Sequence, residues 1–310
     1  QSGSVVVAVV TPSGKETSTC TVLPSIGDCR PDVVEGVWEA PIKAVPGRGA
    51  RRDKIVEPTV CNLPALLGVH FLATEHSTGR THAGRIDTLG IDENGCPVIL
   101  EYKRAVSENV VNQGLYYLDW LLDHQAEFKL LVMEQQGKEA ADKIDWSAPR
   151  LICVASDYKK YDEHAARQIN RNIDLIRYRR FGDDLLALEL AATVAGDAPP
   201  EVQDSTDLGK KQERAPDKTI AEAIEEMTDE MRDLFEALRA FVLNLGDDIN
   251  EKQLKYYVAF RRIRNFTTVI VQKKNLVLCV DVDPTTVDLE EGFTRDISQV
   301  GHWGTGNLEK

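Results

Sequence analysis

Residues 84–105, GRIDTLGIDENGCPVILEYKRA, constrain the chain more than any other stretch. Two apolar runs, 86–91 and 97–102, flank the turn residues DENG at 92–95, the pattern of two antiparallel strands folded back on each other. Side chains alternate along a strand, so Glu101 and Lys103 share one face while Leu100 and Tyr102 share the other. The hairpin then brings Asp87 beside Glu101 at the strand ends. Two carboxylates there form a hard-oxygen pocket suited to Mg²⁺ or Mn²⁺. Such an ion lowers the pKa of a bound water and neutralises charge on a phosphodiester. Lys103 could orient or deprotonate that water, or bind the phosphate. The same residues also fit a surface hairpin with a cross-strand ion pair, and sequence alone leaves both open.

The surroundings read as α/β. Residues 53–190 alternate strand-like and helix-like runs, with strands expected at 69–74, 86–91, 97–102, 128–133, 151–155 and 173–178. A helix is expected over 108–124. Ser107 would cap it, Glu108 suits the positive end of its dipole, and Val111, Leu115, Leu118 and Leu122 form its apolar face. A more polar helix is expected over 163–170. Residues 195–217 are polar, charged and contain three prolines, so they read as a linker. Beyond it, Met231, Leu234, Leu238, Phe241 and Leu245 repeat at helical spacing and read as a core face. Thr228 would cap that helix and Gly246 would stop it. Residues 266–282, FTTVIVQKKNLVLCVDV, read as two strands joined by a turn at 273–275. The first 52 residues show no helical period and suggest a hairpin with its loop at 12–18. The expected organisation is an N-terminal segment 1–52, an α/β domain 53–194, the linker 195–217, and a smaller α+β domain 218–310.

Composition limits the partners. The formal net charge is −13, so the bulk field does not attract nucleic acid, and such a partner must meet a local basic patch. Arg167, Arg171, Arg177, Arg179 and Arg180 form the densest basic group of the first domain, and Arg104 follows the hairpin. They suit either a phosphate-backbone track or a solvated face that balances nearby acids. KQLKYYVAFRRIRNF, 252–266, mixes cations with aromatics as a single-strand binder would, but an amphipathic helix with core aromatics is the favoured expectation. The six cysteines are scattered and read as reduced thiols of a cytoplasmic protein. The run VVVAVV at 5–10 is too short to span a bilayer. The six histidines show no metal-ligand spacing; His76 and His82 flank a loop near the hairpin, and His302 reads as a structural turn residue. No P-loop occurs, so no intrinsic ATPase is expected.

Asp87, then Glu101-Tyr102-Lys103 fourteen residues later in a strand–hairpin–strand context, resembles the PD-(D/E)XK nuclease superfamily. The wording GRIDTLGIDENG…VILEYKRA is most similar to its NucS-like and RecB-like branch. Gln113 and Tyr117, four residues apart on the following helix, match the QxxxY element of that branch. The resemblance covers roughly 53–190 and implies a restriction-endonuclease-like mixed sheet flanked by helices. It implies Mg²⁺ or Mn²⁺ at Asp87 and Glu101, a catalytic role for Lys103, support from Gln113, Tyr117 and Arg85, and single-stranded, branched or damaged DNA as substrate. The family usually carries an upstream acid, but Val60 stands at that position; Glu57 and Glu75 are the candidates for a third acid. That departure also allows a catalytically degenerate relative that binds nucleic acid or a partner. The C-terminal half, including RDISQVGHWGTG, resembles a domain of unknown function found fused to such nucleases. That family usually continues past GHWG, so this copy reads as truncated. The domain carries no assigned chemistry and could serve a homodimer or a protein partner.

Overall fold

The apolar runs of the first half pair into one mixed sheet. The computed structural model describes residues 5–9, 19–23, 38–39, 63–103, 110–181, 185–196, 218–246, 249–300 and 304–310. The chain divides into two units, 1–197 and 198–310.

In the first unit the strands are β1 (Val5–Val9), β2 (Thr19–Leu23), β3 (Trp38–Glu39), β4 (Val69–Ser77), β5 (Arg85–Asp92), β6 (Pro97–Lys103), β7 (Arg150–Ala155), β8 (Asn172–Phe181) and β9 (Leu185–Val194). Their order is β3-β2-β1-β9-β8-β7-β6-β5-β4. The pairs β6–β7 and β7–β8 are parallel and the others antiparallel. Parallel neighbours need crossovers. Helices α2 (Val110–Asp123), α3 (Gln125–Gln136) and α4 (Lys138–Asp142) lie between β6 and β7, α5 (Lys160–Arg167) lies between β7 and β8, and a single turn α1 (Gly79–His82) joins β4 to β5. Every residue of β7 is buried, as expected for a strand with parallel neighbours on both edges. The core on the helical side gathers Ile99, Leu118, Trp120, Leu121, Leu151 and Leu175.

Two local expectations need correction. Residues 128–133 form part of α3, not a strand; Phe128 and Val132 are buried four apart while Leu130 and Met133 are exposed, which is a helical period. Strand β9 was not anticipated, although LLALELAATV supplies ten residues for it. Residues 197–217 of the expected linker 195–217 lie outside the described residues.

The second unit holds α6 (Ile220–Glu225), α7 (Asp229–Leu243) and a six-stranded antiparallel sheet. Its strands are β10 (Asn250–Gln253), β11 (Val258–Arg261), β12 (Asn265–Val271), β13 (Leu276–Val280), β14 (Arg295–Asp296) and β15 (Leu308–Glu309), in the order β10-β11-β12-β13-β15-β14. Ile220, Phe235, Val242, Ile249, Val258, Phe260 and Val269 form the core between helices and sheet. The Thr228 hydroxyl accepts the Met231 N–H at 3.3 Å and caps α7 as expected. The helix, however, buries Phe235 and Val242 with Leu238 packed against the same core, and leaves Leu234 and Phe241 in solvent, along with Leu245 two residues past its end. Residues 252–266 contribute to strands rather than to an amphipathic helix, with Tyr257 and Phe260 in the core. In GHWGTG, Gly304 has φ 88°, and a Cβ there would lie 2.3 Å from the Thr268 hydroxyl, so this glycine lets the segment lie against β12. His302 lies outside the described residues.

Candidate active site

Strands β5 and β6 fork where the charged residues stand. Their register ends at Thr88↔Leu100. Beyond it, Arg85 and Ile86 pair with β4, while Glu101, Tyr102 and Lys103 pair with β7. The carboxylates of the two strands bridge the gap reciprocally. Glu101 Oε1 accepts the Asp87 N–H at 3.1 Å, and Asp87 Oδ2 accepts the Tyr102 N–H at 3.0 Å. Each acid therefore satisfies a backbone donor that the ladder no longer reaches. The turn that folds the strands back is closed by the Gly95 N–H on the Asp92 carbonyl at 3.0 Å, with Gly95 at φ 79°.

Helix α2 supports the same fork. Strand geometry sends the N–H groups of Arg85 and Asp87 to one edge. The Tyr117 hydroxyl accepts the Arg85 N–H at 3.1 Å, and Gln113 Nε2 donates to that hydroxyl at 3.4 Å. Gln113 and Tyr117 thus hold the backbone two residues before Asp87. Gly84 makes room for the ring: a Cβ there would lie 2.5 Å from Tyr117 Cε1. The buried Thr78 hydroxyl accepts the Gly84 N–H at 2.9 Å and closes the α1 loop. Neither Gly84 nor Thr78 was singled out from sequence. A glycine directly before the strand was the available signal for the first, and the second gave none.

Glu101 is fully buried, and its Oε2 has no hydrogen-bond partner. Burial, reinforced by the Asp87 charge, pushes its pKa up to about 8. A buried carboxyl with an unused oxygen beside a second carboxylate is a donor set that suits a hard divalent cation. This is not the surface ion pair that the sequence also allowed. Lys103, two residues along β6 and half-buried, makes no ion pair among the described residues. Cys153 pairs with Glu101 across β7, and burial raises its thiol out of the thiolate range. Of the third-acid candidates, Glu75 on β4 has φ 52° and accepts from Arg85 Nη1 at 3.1 Å, while Glu57 and Val60 lie outside the described residues. Among the described residues no group of three His, Cys, Asp or Glu could hold a metal.

The arginines do not form one track. Arg177 on β8 meets Asp157 at 2.7 Å, Glu189 at 2.9 Å and Glu163 at 3.8 Å, so its charge is committed to carboxylates. Arg167, Arg171 and Arg179 are exposed, Arg180 lies on β8, and Arg104 lies outside the described residues. Three histidines converge on α2. The rings of His76 and His124 lie 5.3 and 4.9 Å from Trp120, and His82 lies 5.8 Å from His124.

A relative from Haemophilus influenzae, described as an uncharacterized protein, is 30% identical over 255 residues, covering 80% of this chain and 82% of its own. The chain belongs to the family of that Haemophilus influenzae protein. Residues 217–309 match the family "Domain of unknown function (DUF5655)". Among solved structures, a repair endonuclease from Pyrococcus abyssi is 18% identical with a TM-score of 0.26, covering 55% of this chain and 64% of that one. The chain therefore spans less than two thirds of that endonuclease. The structure of an EndoMS–dsDNA2 complex is 14% identical with a TM-score of 0.24, covering 58% and 87%. Overlaps this low carry no argument about chemistry, which rests on the site itself. Among the described residues no helix is long and apolar enough to cross a membrane.

Proposed function

We propose that the first unit is a metal-dependent endonuclease that hydrolyses phosphodiester bonds of single-stranded, branched or damaged DNA. The observation that supports this most is the Asp87–Glu101 fork, where a fully buried carboxyl keeps an oxygen without a partner beside a second carboxylate. Asp87 and Glu101 would hold Mg²⁺ or Mn²⁺. When bound, that ion supplies an activated water and offsets phosphate charge. Lys103, on the face of β6 that carries Glu101, would orient the attacking water or hold the phosphate. Gln113 and Tyr117 would fix the backbone on which Asp87 stands, and Arg85 would hold Glu75 at the rim. The buried thiols of Cys96, Cys153 and Cys279 suit a reducing, cytoplasmic compartment.

Val60, at the position where the resembling nucleases carry an upstream acid, favours a second reading, a binding module of the same fold. Calorimetric titration with Mn²⁺ separates the two. The nuclease reading predicts binding by the wild-type chain that is lost in Asp87→Ala and Glu101→Gln. Failure of the folded wild-type chain to bind Mn²⁺ would leave the binding module.

A further inference from the structure

The loop that follows β7 is pinned beside the fork. Lys103, Ala155 and Arg177 are lateral neighbours across the parallel strands β6, β7 and β8. Such neighbours point to one face, so Lys103 and Arg177 share a face two strand spacings, roughly 10 Å, apart. Arg177 holds Asp157 of the loop and Glu163 of α5. Loop and helix therefore border the face that carries Glu101 and Lys103. Tyr158 is buried, and its hydroxyl donates to the carbonyl of Cys153, the residue that pairs with Glu101, at 2.6 Å. Asp162 is buried too, and its carboxylate accepts the Lys159 N–H at 2.9 Å. Between these two anchors stand three consecutive exposed residues, Lys159, Lys160 and Tyr161. Tyr161 is 83% exposed, more than any other large hydrophobic side chain among the described residues. The exposed Arg179 lies two residues beyond Arg177 on the same face of β8. The Asp157 carboxyl is held below its ordinary range chiefly by its bond to Arg177 and further by the Arg179 charge, which sets Arg179 beside the loop.

We propose that Lys159, Lys160, Tyr161 and Arg179 form a subsite for unpaired nucleotides, and that it selects DNA that is single-stranded beside the fork. As a substrate subsite it rests on the nuclease reading. In a duplex the faces of each base are covered by its neighbours, so an exposed ring can stack only on a base that is unpaired. Aromatic rings that stack on bases, flanked by cations that meet the backbone phosphates, are how single strands are held without regard to sequence. A single exposed tyrosine is ordinary. Here the ring follows two exposed lysines, buried residues fix the segment on both sides, and the segment borders the carboxylates that would hold the metal. Its nearest acids do not cancel the lysines, because Asp157 and Glu163 are met by Arg177. Lys160 makes no ion pair among the described residues. In a chain of net charge −13 this segment supplies the local positive field that a nucleic acid requires.

The test is fluorescence anisotropy of a labelled oligothymidine and of a labelled duplex with the full chain in EDTA, where binding is read without cleavage. The wild-type chain should bind the single strand more tightly than the duplex. Tyr161→Ala, at a solvent-facing position, should keep its circular dichroism and weaken single-strand binding by about 5–150-fold, with little change on the duplex. Tyr161→Trp should restore the single-strand affinity, since it keeps a stacking ring. Lys160→Ala should reduce the slope of log affinity against log salt by about 0.7 on the single strand. A wild-type chain that binds no single strand overturns the proposal, as does a Tyr161→Ala chain that binds it like wild type or loses equally on duplex. The nuclease reading fails separately: single-strand binding that depends on Tyr161 in a chain that binds no Mn²⁺ would overturn that reading and keep the subsite. Metal-dependent cleavage with unchanged binding by Tyr161→Ala would overturn the subsite alone.

Discussion

At the scale of single residues, Glu101 joins fold to chemistry. One oxygen replaces a lost ladder bond to Asp87, while the other has no partner in a fully buried setting. Its raised pKa has a thermodynamic consequence. Between pH 4.5 and about 8 the folded protein keeps a proton that the unfolded chain releases. The unfolded state binds fewer protons in that window, so stability falls as pH rises through it. Metal-free protein should therefore show a falling Tm from about pH 5 to about pH 8, with a shallower fall in Glu101→Gln. Added Mg²⁺ should recover Tm at the upper end in the wild type but not in Glu101→Gln. Differential scanning fluorimetry checks this, and equal slopes in the two proteins would refute the raised pKa of Glu101. The placement of Asp87 beside Glu101 was legible because the DENG turn folds their two strands together. The bond partner of Tyr117 was not legible, because Arg85 lies 32 positions away in sequence.

At the scale of elements, the site is a fork between β5 and β6 held open by α2. Tyr117→Phe keeps the ring and its packing but removes the acceptor for the Arg85 N–H. The bond is only part-buried, so its loss costs about 0.5–1.5 kcal/mol. The expected result is a measurable fall in denaturant midpoint and weaker metal binding, both read on the same protein. An unchanged midpoint would show that water replaces the hydroxyl. Elements with a strict period and clear ends, such as β5, β6 and α7, could be placed from sequence. Phe128–Val132 could not, because a short apolar run fits a strand or a buried helix face equally, and burial four residues apart decides it. On α7 the period revealed the helix but not its inward face. Leu234 and Phe241 are as apolar as Phe235 and Val242, and packing against the sheet selects Phe235 and Val242.

At the scale of the whole molecule, a net charge of −13 sets the terms on which DNA could bind. Arg177 is spent on three acids, which leaves the exposed Arg167, Arg171 and Arg179 as the described members of that arginine group in solvent. The N-terminal segment was legible only as a hairpin: β1 pairs antiparallel with β2 as expected, whereas its seat against β9 was not anticipated. The measurement that tests the central proposal most directly is cleavage of labelled single-stranded, duplex and forked DNA by the full chain, with Mg²⁺, Mn²⁺ or EDTA. Glu101→Ala and Lys103→Ala proteins run beside it. The nuclease proposal predicts metal-dependent products that vanish with Glu101→Ala and fall by about 10²–10⁴-fold with Lys103→Ala. Products that persist in EDTA, or that survive both substitutions in folded protein, would contradict it.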